Sequence, residues 1–438
     1  MTIADRLKVE PGGRLHGELR VPGDKSISHR AVMLSSIADG TTEITDCLMG
    51  EDVRSTIAAF RAMGVTIDEQ GAGRLSINGR GFGALAAPAG HLDLGNSGTS
   101  IRLLAGLLAG AGIPVTMTGD RSLLTRPMRR VTDPLAQMGA RISTGENGTP
   151  PLTIMPESNL QAIRYELPVA SAQVKSAILL AGLHTDGQTC VVEPAPTRDH
   201  TERMLSAFGV NLEMTSGEIK IDGGQKLTAT SIVVPGDISS AAFFLVGAAI
   251  VEGSEVILKS VGVNPTRTGV IEILRQMGAI ITLSNERSTG SEPVADITVR
   301  GARLTGIDIS SDLVPSAIDE FPAIFVAAAC ARGITRLVEA SELRHKESDR
   351  IDAMADGLQS LGITVSTSAD GIEIVGREAG FGAGRVASVG DHRVAMAFAM
   401  AGLRAAGPIE ITDCAAIATS FPGFVESARQ LGLKAFHD

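Results

Sequence analysis

The chain has 438 residues, with 49 acidic and 39 basic side chains and a formal net charge of -10 at pH 7. This length allows two domains with sizeable cores, and the negative charge disfavours a nucleic-acid or anionic-membrane partner. Four scattered cysteines are typical of reduced thiols in a cytoplasmic protein. The sequence shows no signal peptide, no apolar run long enough to span a bilayer and no metal-ligand spacing, so we expect no membrane, metal or cofactor.

Six segments share one pattern, in which a helix-like stretch ends at an apolar residue and a glycine, and aliphatic residues follow. The glycines are Gly64, Gly139, Gly209, Gly278, Gly362 and Gly432. They recur about every 70 to 84 residues, which is the signature of an internal structural repeat. The sequence therefore predicts six copies of one unit.

Mostly apolar segments that open with small or polar residues lie between these glycines. They cover residues 26–38, 95–109, 171–183, 239–251, 319–331 and 391–403. A helix that is apolar on nearly all sides is normally buried, whereas the glycine-terminated helices carry charges on one side. Each repeat therefore predicts one inner and one outer helix.

Short β-branched runs follow the inner segments. They lie at residues 41–45, 115–118, 189–192, 256–258, 335–338 and 409–412. Helices that alternate with short strands are typical of α/β proteins. We expect sheets that surround the inner helices.

The tetrapeptide Val-Pro-Gly-Asp occurs at 21–24 and again at 234–237, each time just before a serine-containing inner helix. Pro-Gly is a strong turn signal and a plausible hinge. We therefore expect two triplicated domains with hinges near 21–23 and 234–236. One domain would comprise residues 22–234, and the other would comprise residues 1–21 together with 235–438.

Basic residues recur near the starts of the inner helices. They are Lys25, Arg30, Arg102, Arg126, Lys175, Arg198, Lys346, Arg350 and Arg393. The start of a buried helix favours anions, because its N–H groups are unpaired and the helix dipole is positive there. A solvated or ion-paired side chain is the simpler interpretation of any one of them. Their recurrence at one structural position favours a cleft between the domains that binds phosphate or carboxylate groups.

Nine ordered segments across the chain carry a family resemblance. They are VPGDKSISHRA at 21–31, LGNSGTSIRLL at 94–104, RPM at 126–128, ASAQVKSAILLAG at 170–182, PTRDHTE at 196–202, IDEFP at 318–322, LRHKESDR at 343–350, DHRVAMAFAM at 391–400 and TSFPGF at 419–424. Together they resemble the EPSP synthases, or 3-phosphoshikimate 1-carboxyvinyltransferases, of the bacterial subgroup described as class II. The resemblance implies a two-domain inside-out α/β barrel, with three βαβαββ repeats and buried inner helices in each domain.

The resemblance also implies an activity, which is transfer of the enolpyruvyl group of phosphoenolpyruvate to the 5-hydroxyl of shikimate 3-phosphate. This addition and elimination releases phosphate and belongs to the shikimate pathway of aromatic amino acid biosynthesis. We expect a monomer whose partners are these two small molecules, with glyphosate as an inhibitor.

Two alternatives stay open. UDP-N-acetylglucosamine 1-carboxyvinyltransferase shares the fold and the donor, but normally has Lys-Asn near its first helix and a cysteine before Arg-Pro. The corresponding stretches here read DKSISHR and GDRSLLTRP and lack these features. The other alternative is a homologue that binds anions without catalysis.

The resemblance assigns roles to particular residues. The catalytic residues implied are Asp319 as base, Glu347 in proton transfer, and Lys25. The shikimate 3-phosphate contacts implied are Lys25, Ser26, Arg30, Ser171, Gln173, Arg198, Asp319 and Lys346. The phosphoenolpyruvate contacts implied are Lys25, Asn96, Gly98, Arg126, Gln173, Arg350 and Arg393.

Several of these residues also have a plain structural interpretation. Ser26 and Asp319 could each cap the helix that follows. Glu347 and Arg350 are three residues apart and would be neighbours on a helix, in a charge run that is usually a solvated helix face. Lys175 lies outside the resemblance, and we expect it to be structural.

Two further positions differ among relatives. Many carry a lysine that touches phosphoenolpyruvate at the position of Thr419, so this chain has one cation fewer there. Some carry alanine at the position of Gly98, where a methyl group would crowd a ligand longer than phosphoenolpyruvate while sparing phosphoenolpyruvate itself. We therefore predict that the protein is sensitive to glyphosate and that Gly98→Ala weakens inhibition. His392 is expected to start a helix or to pack rather than to act as a base.

Overall fold

The computed structural model describes residues 5–157 and 159–437, and these fall into two compact units. Unit 1 comprises the described residues up to Pro22, Pro235–Ser288 and the described residues from Pro293 onwards. Unit 2 comprises Gly23–Val234 and Thr289–Glu292.

Helices occur throughout both units. In chain order the α-helices are α1 Lys25–Ile37, α2 Glu51–Ala62, α3 Gly98–Leu108, α4 Arg129–Gln137, α5 Ala172–Gly182, α6 His200–Ala207, α7 Ile238–Ala249, α8 Gly269–Gln276, α9 Val314–Ala317, α10 Phe321–Cys330, α11 Arg350–Ser360, α12 His392–Ala401 and α13 Phe424–Leu431. Short 3-10 helices lie at Phe82–Ala84, Leu123–Thr125, Glu146–Gly148, Ser311–Leu313, Ser341–His345, Gly402–Arg404 and Cys414–Thr419.

The strands are short and alternate with the helices. They are β1 Arg6–Val9, β2 His16–Leu19, β3 Asp39–Thr45, β4 Thr66–Gly71, β5 Arg74–Arg80, β6 Leu92–Asp93, β7 Val115–Thr118, β8 Ile142–Ser143, β9 Leu152–Ile154, β10 Arg164–Glu166, β11 Gln188–Val192, β12 Leu212–Thr215, β13 Glu218–Asp222, β14 Ser231–Val233, β15 Glu255–Gly262, β16 Ile280–Thr289, β17 Glu292–Arg300, β18 Ile334–Leu337, β19 Thr364–Thr367, β20 Ile372–Val375, β21 Gly384–Ala387, β22 Ile409–Thr412 and β23 Ala435–His437.

The sheets of unit 2 follow one plan. Their strand orders are β14-β3-β5-β4, β6-β7-β9-β8 and β10-β11-β13-β12. In each, the strand after an inner helix pairs parallel with one edge strand and antiparallel with a hairpin strand, as β3 does with β14 and β5. The register places buried Ile44 opposite buried Leu75, so hydrophobic side chains of neighbouring strands meet on the core face.

Two sheets of unit 1 repeat this plan, whereas its third sheet has three strands, of which β18 pairs antiparallel with β20. The sheets of unit 1 have the orders β16-β17-β15-β2, β18-β20-β19 and β21-β22-β1-β23. The strand β22 again pairs parallel with β21 and antiparallel with β1. The predicted alternation of inner helices, outer helices and short strands is confirmed, and the fold is a mixed α/β architecture with buried helices inside its sheets.

The inner helices form the cores, as predicted. They are α1, α3 and α5 in unit 2 and α7, α10 and α12 in unit 1, and every residue of the last three is buried. Each fully buried Val, Leu, Ile or Phe side chain contributes about 1.5–3 kcal/mol relative to an exposed one. The helices also approach closely, since a Cβ on Gly106 of α3 would lie 2.0 Å from the carbonyl oxygen of Ala177 of α5.

The six signal glycines end the outer helices, as predicted. Their φ angles are all positive, which is the left-handed conformation that closes a helix and that side chains disfavour. The angles are 89° at Gly64, 93° at Gly139, 86° at Gly209, 98° at Gly278, 82° at Gly362 and 116° at Gly432.

Two inner helices begin later than the sequence predicted. The helix α3 begins at Gly98 rather than near residue 95, because the Ser97 hydroxyl accepts a hydrogen bond from the N–H of Ser100 and acts as the cap. The helix α10 begins at Phe321 rather than at Asp319. The Asp319 carboxylate does not cap it and is instead engaged by basic side chains.

Candidate active site

The start of α1 holds three predicted ligand contacts. Asp24 is the cap, since its carboxylate accepts a hydrogen bond from the N–H of Ile27 at 2.9 Å. The suggestion that Ser26 caps this helix is therefore wrong, because Ser26 already lies in its first turn. The Lys25 Nζ lies 3.0 Å from Oδ2 of Asp52, so its ammonium is held at the helix start by a carboxylate of α2.

Arg30 lies one turn further along α1 and is buried. Its Nε donates to the Thr201 hydroxyl at 2.7 Å, its Nη2 to the Ser176 hydroxyl at 3.0 Å and its Nη1 to the carbonyl of Ser26 at 3.0 Å. Burial lowers the pKa of Arg30 to about 10, although the Glu202 carboxylate opposes this shift. Neutral hydroxyls fix the guanidinium, which leaves it a net positive charge for an anion.

The glycine-rich loop before α3 is hydrogen-bonded to Arg126. The Arg126 Nη2 donates to Oδ1 of Asn96 at 2.6 Å and to the Ser122 hydroxyl at 3.2 Å. The Asn96 amide in turn donates to Asp120 at 2.7 Å. The loop, the arginine and the Asp120 turn therefore form one hydrogen-bonded surface.

Gly98 lies too close to two arginine side chains to carry a side chain of its own without a shift of these neighbours. A Cβ there would lie 2.8 Å from Nη1 of Arg126 and 3.0 Å from Nη1 of Arg102. The side chain absent at Gly98 is therefore what lets two guanidinium groups approach the start of α3.

The start of α5 brings in the predicted contacts Ser171 and Gln173. Ser171 is the cap of this helix, with its hydroxyl 3.4 Å from the N–H of Val174. Gln173 accepts from Nη1 of Arg102 at 2.8 Å and donates to the Thr99 hydroxyl at 3.2 Å. Arg102 was not among the predicted contacts, although its position in the GTSIR stretch was a signal for it.

Two other basic residues of unit 2 differ in their surroundings. Arg198 is half-buried in the loop before α6. Lys175 is 1% exposed, and its Nζ lies 2.6 Å from Glu202 and 3.0 Å from Glu193. Burial raises the pKa of Glu202, while Lys175 opposes that rise. This closed ion-pair cluster agrees with the expectation that Lys175 is structural.

In unit 1 the predicted residues converge on Arg350, whose side chain is 1% exposed. Its Nη1 lies 3.2 Å from Oδ1 of Asp319, its Nη2 donates to Glu347 at 2.6 Å, and its Nε donates to Asp391 at 2.8 Å. Burial alone would lower the pKa of Arg350, but the three carboxylates outweigh burial and raise it. The guanidinium therefore stays charged and holds three carboxylates in fixed places.

Lys346 completes this cluster, because its Nζ lies 3.2 Å from the same Asp319 oxygen that contacts Arg350. Glu347 and Arg350 do touch, but not as neighbours on one helix, since α11 begins only at Arg350. Asp349 caps α11 and receives the N–H groups of Ile351 and Asp352. The predicted helical charge run is therefore an irregular loop that folds over Asp319.

Arg393 lies in the first turn of α12. Its Nη1 donates to the backbone carbonyl of Asp319 at 3.1 Å and lies 3.9 Å from Glu320. Its neighbour His392 is buried at the first position of the helix, as expected for a helix-start residue. Thr419 donates its hydroxyl to the carbonyl of Ala416 at 2.7 Å.

The sequence interpretation missed a buried group around the start of α7. Arg267 is 3% exposed, donates to the Ser239 hydroxyl at 2.8 Å, and lies 3.4 Å from Asp237 and 3.5 Å from Glu320. A signal for it was present, since Pro-Thr-Arg at 265–267 repeats Pro-Thr-Arg at 196–198. Arg267 is therefore a basic residue at the start of the fourth inner helix, where no basic residue was predicted.

Two further features concern metal binding and membrane spanning. Within residues 5–157 and 159–437, no group of three or more His, Cys, Asp or Glu side chains is placed to hold a metal ion. None of the helices in this described part is long and apolar enough to cross a membrane.

The inside-out α/β repeats and the basic residues at their helix starts are the features of an enolpyruvyl transferase. The family model for EPSP synthase (3-phosphoshikimate 1-carboxyvinyltransferase) matches residues 9–428. The chain belongs to the EPSP synthase family.

Curated relatives and solved structures agree with this assignment. The chain is 60% identical to the 3-phosphoshikimate 1-carboxyvinyltransferase of Alkalilimnicola ehrlichii, over 97% of this chain and 95% of that one. It is 61% identical to that of Methylococcus capsulatus, over 97% and 96% of the two chains. The structure of EPSP synthase from Acinetobacter baumannii matches with a TM-score of 0.88 and 54% identity, over 98% and 99%.

A more distant structure matches in fold alone. The enolpyruvyl transferase NikO from Streptomyces tendae matches with a TM-score of 0.80 at 18% identity, over 99% of each chain. The repeat architecture is therefore kept where most of the sequence differs.

Proposed function

We propose that this protein transfers the enolpyruvyl group of phosphoenolpyruvate to the 5-hydroxyl of shikimate 3-phosphate, giving 5-enolpyruvylshikimate 3-phosphate and phosphate. Relatives named for this activity match the chain at about 60% identity over nearly its full length. The reaction serves aromatic amino acid biosynthesis in the shikimate pathway. The observation that carries its chemistry is the pair of carboxylates, Asp319 and Glu347, on the two terminal nitrogens of Arg350.

The addition step needs a base and an acid that lie close together. The 5-oxygen of shikimate 3-phosphate forms a bond to C2 of phosphoenolpyruvate, and Asp319 accepts the hydroxyl proton. Glu347 begins this step protonated and delivers its proton to C3, so the methylene group becomes a methyl group and Glu347 becomes a carboxylate. The product of this step is a tetrahedral intermediate.

The elimination step reverses the proton movement at C3. The methyl group loses one proton, the double bond re-forms, and the bond from C2 to the phosphate oxygen breaks. The phosphate leaves with the electron pair. Fixed positive charge stabilises the leaving group, because preorganised cations favour developing negative charge.

The basic residues divide between the two substrates. We assign Lys25, Arg126, Arg350 and Arg393, with Asn96, Gly98 and Gln173, to phosphoenolpyruvate. We assign Lys25, Ser26, Arg30, Ser171, Gln173, Arg198, Asp319 and Lys346 to shikimate 3-phosphate. The support for this division is the match of each residue to the family motifs and the buried, hydrogen-bonded setting of Arg30, Arg126 and Arg350.

Phosphate release tests the proposed reaction. The protein is incubated with phosphoenolpyruvate and either shikimate 3-phosphate or UDP-N-acetylglucosamine. Release with shikimate 3-phosphate alone supports the proposal. Release with only the sugar nucleotide would replace it by the related transferase, and release with neither would indicate a homologue that binds without turnover.

We further infer a cytoplasmic monomer that glyphosate inhibits. The cysteines Cys47, Cys190, Cys330 and Cys414 are free and buried, which is typical of a reducing compartment. Light scattering with and without substrates measures the mass, and a dimer would overturn the monomer assignment. Inhibition competitive with phosphoenolpyruvate is the result expected for glyphosate.

A further inference from the structure

A chain of buried side-chain hydrogen bonds joins three helices of unit 2. His29 of α1 contacts the Thr56 hydroxyl of α2 at 2.8 Å through Nδ1. The Thr56 hydroxyl lies 2.7 Å from that of Ser100 in α3, which lies 2.7 Å from that of Ser97. All four residues are at most 1% exposed. Water therefore cannot replace any of these bonds.

The tautomer of His29 follows from its surroundings. Its Nε2 is buried without a hydrogen-bond partner. A proton on Nε2 would be an unsatisfied buried donor, whereas a proton on Nδ1 satisfies the donor through Thr56 and leaves only a lone pair unpaired. Burial lowers the pKa of His29 well below its ordinary value, and the charges of Lys25 and Arg30 lower it further. The ring is therefore neutral and donates from Nδ1.

This donor gives the chain of hydroxyls one direction. The Thr56 hydroxyl accepts from His29 and can donate to Ser100 at 2.7 Å, a shorter contact than its 3.4 Å to the Asp52 carbonyl. The Ser100 hydroxyl, which also lies 3.3 Å from Nδ1 of His29, can donate to Ser97. The Ser97 oxygen also accepts from the backbone N–H of Ser100 at 3.1 Å and thereby caps α3. The Ser97 hydroxyl is thus hydrogen-bonded both to the backbone of α3 and to the buried series of hydroxyl groups.

The end of this chain lies in the loop that the proposed function assigns to phosphoenolpyruvate. Ser97 stands between Asn96 and Gly98. Asn96 accepts from Arg126 at 2.6 Å, and a Cβ on Gly98 would lie 2.8 Å from Nη1 of the same guanidinium. A shift of the Ser97 cap would therefore move both loop residues relative to Arg126.

We propose that His29 is a positioning residue, whose imidazole holds the Ser97 cap through Thr56 and Ser100 and thereby fixes the loop that binds phosphoenolpyruvate. This inference rests on the proposed function. His29 touches neither substrate in this account. Its effect reaches the ligand only through the loop.

The test compares KM for the two substrates in variants that break the chain without changing packing greatly. Thr56→Val keeps the shape of the side chain and removes the hydroxyl, and His29→Leu removes the donor. Each is expected to raise KM for phosphoenolpyruvate about tenfold, the usual effect of losing a buried hydrogen bond. KM for shikimate 3-phosphate is expected to stay the same, since Arg30 and Ser171 keep their partners.

Rescue and control variants separate positioning from general damage. The amide of His29→Asn can occupy the place of Nδ1 and donate to Thr56, so this variant is expected to restore KM for phosphoenolpyruvate. Ser36→Ala removes a buried hydroxyl of α1 that is not part of this hydrogen-bonded series. The Ser36 hydroxyl donates to the carbonyl of Val32 in its own helix. Ser36→Ala should leave both KM values at the wild-type level.

Two results would overturn the inference while the wild-type protein is active. One is an unchanged KM for phosphoenolpyruvate in both Thr56→Val and His29→Leu, since His29 also lies 3.3 Å from the Ser100 hydroxyl and Thr56→Val alone leaves that contact. The other is an equal rise of both KM values in His29→Leu. Nitrogen NMR of the histidine ring gives a readout independent of activity, because the proton must reside on Nδ1. An inactive wild-type protein would instead overturn the proposed function, and the NMR signature would still test the buried chain.

Discussion

Arg350 and Asp391 form an ion pair in which both side chains are almost fully buried, with 2.8 Å between Nε and Oδ2. The pair joins the start of α11 to the cap of α12, since Asp391 also accepts the N–H of Arg393 at 2.8 Å. Two residues assigned to phosphoenolpyruvate are thus oriented by one carboxylate. The carboxylate itself was not predicted as part of the site.

Asp391→Asn is expected to destabilise the protein by about 3 kcal/mol, because it leaves part of a buried positive charge uncompensated. Urea unfolding measures the change. Asp356→Asn, on the exposed face of α11, is the matched control and should not change the midpoint. Equal midpoints for the wild type and Asp391→Asn would contradict this role.

The ion pair between Arg350 and Asp391 also predicts how the stability of the fold depends on pH. Burial alone would raise the pKa of Asp391, but Arg350 outweighs burial and lowers it below the ordinary value of 3.8. A carboxyl group with a lowered folded pKa stabilises the fold above its unfolded pKa, and this contribution is lost as the pH falls through the folded value. The stability difference between the wild type and Asp391→Asn should therefore be constant near neutral pH and shrink below about pH 4. A difference that grows on acidification would contradict the ion pair.

Asp319→Asn is expected to lower kcat by about 10²- to 10⁴-fold, the usual range for loss of a general base. The amide keeps the shape of the carboxylate but cannot accept the hydroxyl proton. Steady-state phosphate release measures the effect, and Asp312→Asn in the nearby 3-10 helix is an exposed control. Wild-type kcat in Asp319→Asn would exclude this residue as the base.

Gly98→Ala is expected to weaken inhibition by glyphosate, as the sequence predicts, and also to raise KM for phosphoenolpyruvate, which the sequence predicted to be spared. The added methyl group would meet the guanidinium of Arg126 at 2.8 Å, so it displaces a ligand contact in addition to crowding a longer inhibitor. Inhibition constants and KM values are measured for both proteins. Gly90→Ala is the control, since a Cβ there meets no heavy atom within 4 Å.

Equal inhibition constants for the wild type and Gly98→Ala would refute the steric explanation. A large change in inhibition with an unchanged KM for phosphoenolpyruvate would retain crowding of the inhibitor and exclude displacement of Arg126.

Lys175→Met is expected to cost about 3–5 kcal/mol of stability, because Glu193 and Glu202 would lose their buried counter-charge. In the folded variant, KM for shikimate 3-phosphate should not change. Lys346→Met is the contrasting variant, since its more exposed ammonium faces Asp319, and it should raise that KM with little loss of stability. A stable Lys175→Met protein with a raised KM would assign Lys175 to the ligand.

Much of the fold was predictable because its signals are local. A glycine at the end of each outer helix and a mostly apolar inner helix each depend on a few neighbouring residues, and six repeats reinforce one another. The helix boundaries were less predictable where a side chain could either cap a helix or pair with a distant charged residue. Asp319 could cap a helix or pair with a cation, and the residues that decide this, Lys346 and Arg350, come 27 and 31 positions later.

The site was predictable in its residue types but not in its internal contacts. The motifs placed Lys25, Arg126 and Arg350 at helix starts, where anions are favoured. They could not show that Asp391 would hold Arg350, since this contact joins separate repeats. Pairing across repeats depends on how the inner helices pack, which no single segment encodes.

Mass spectrometry of the acceptor after reaction in D₂O tests the central claim most directly. Addition to C3 of phosphoenolpyruvate brings in a solvent-derived hydrogen, and elimination removes only one hydrogen of the methyl group. The proposed addition and elimination predict shikimate 3-phosphate that carries an enolpyruvyl group with deuterium in its methylene. Unmodified shikimate 3-phosphate, or an enolpyruvyl product without deuterium, would contradict it.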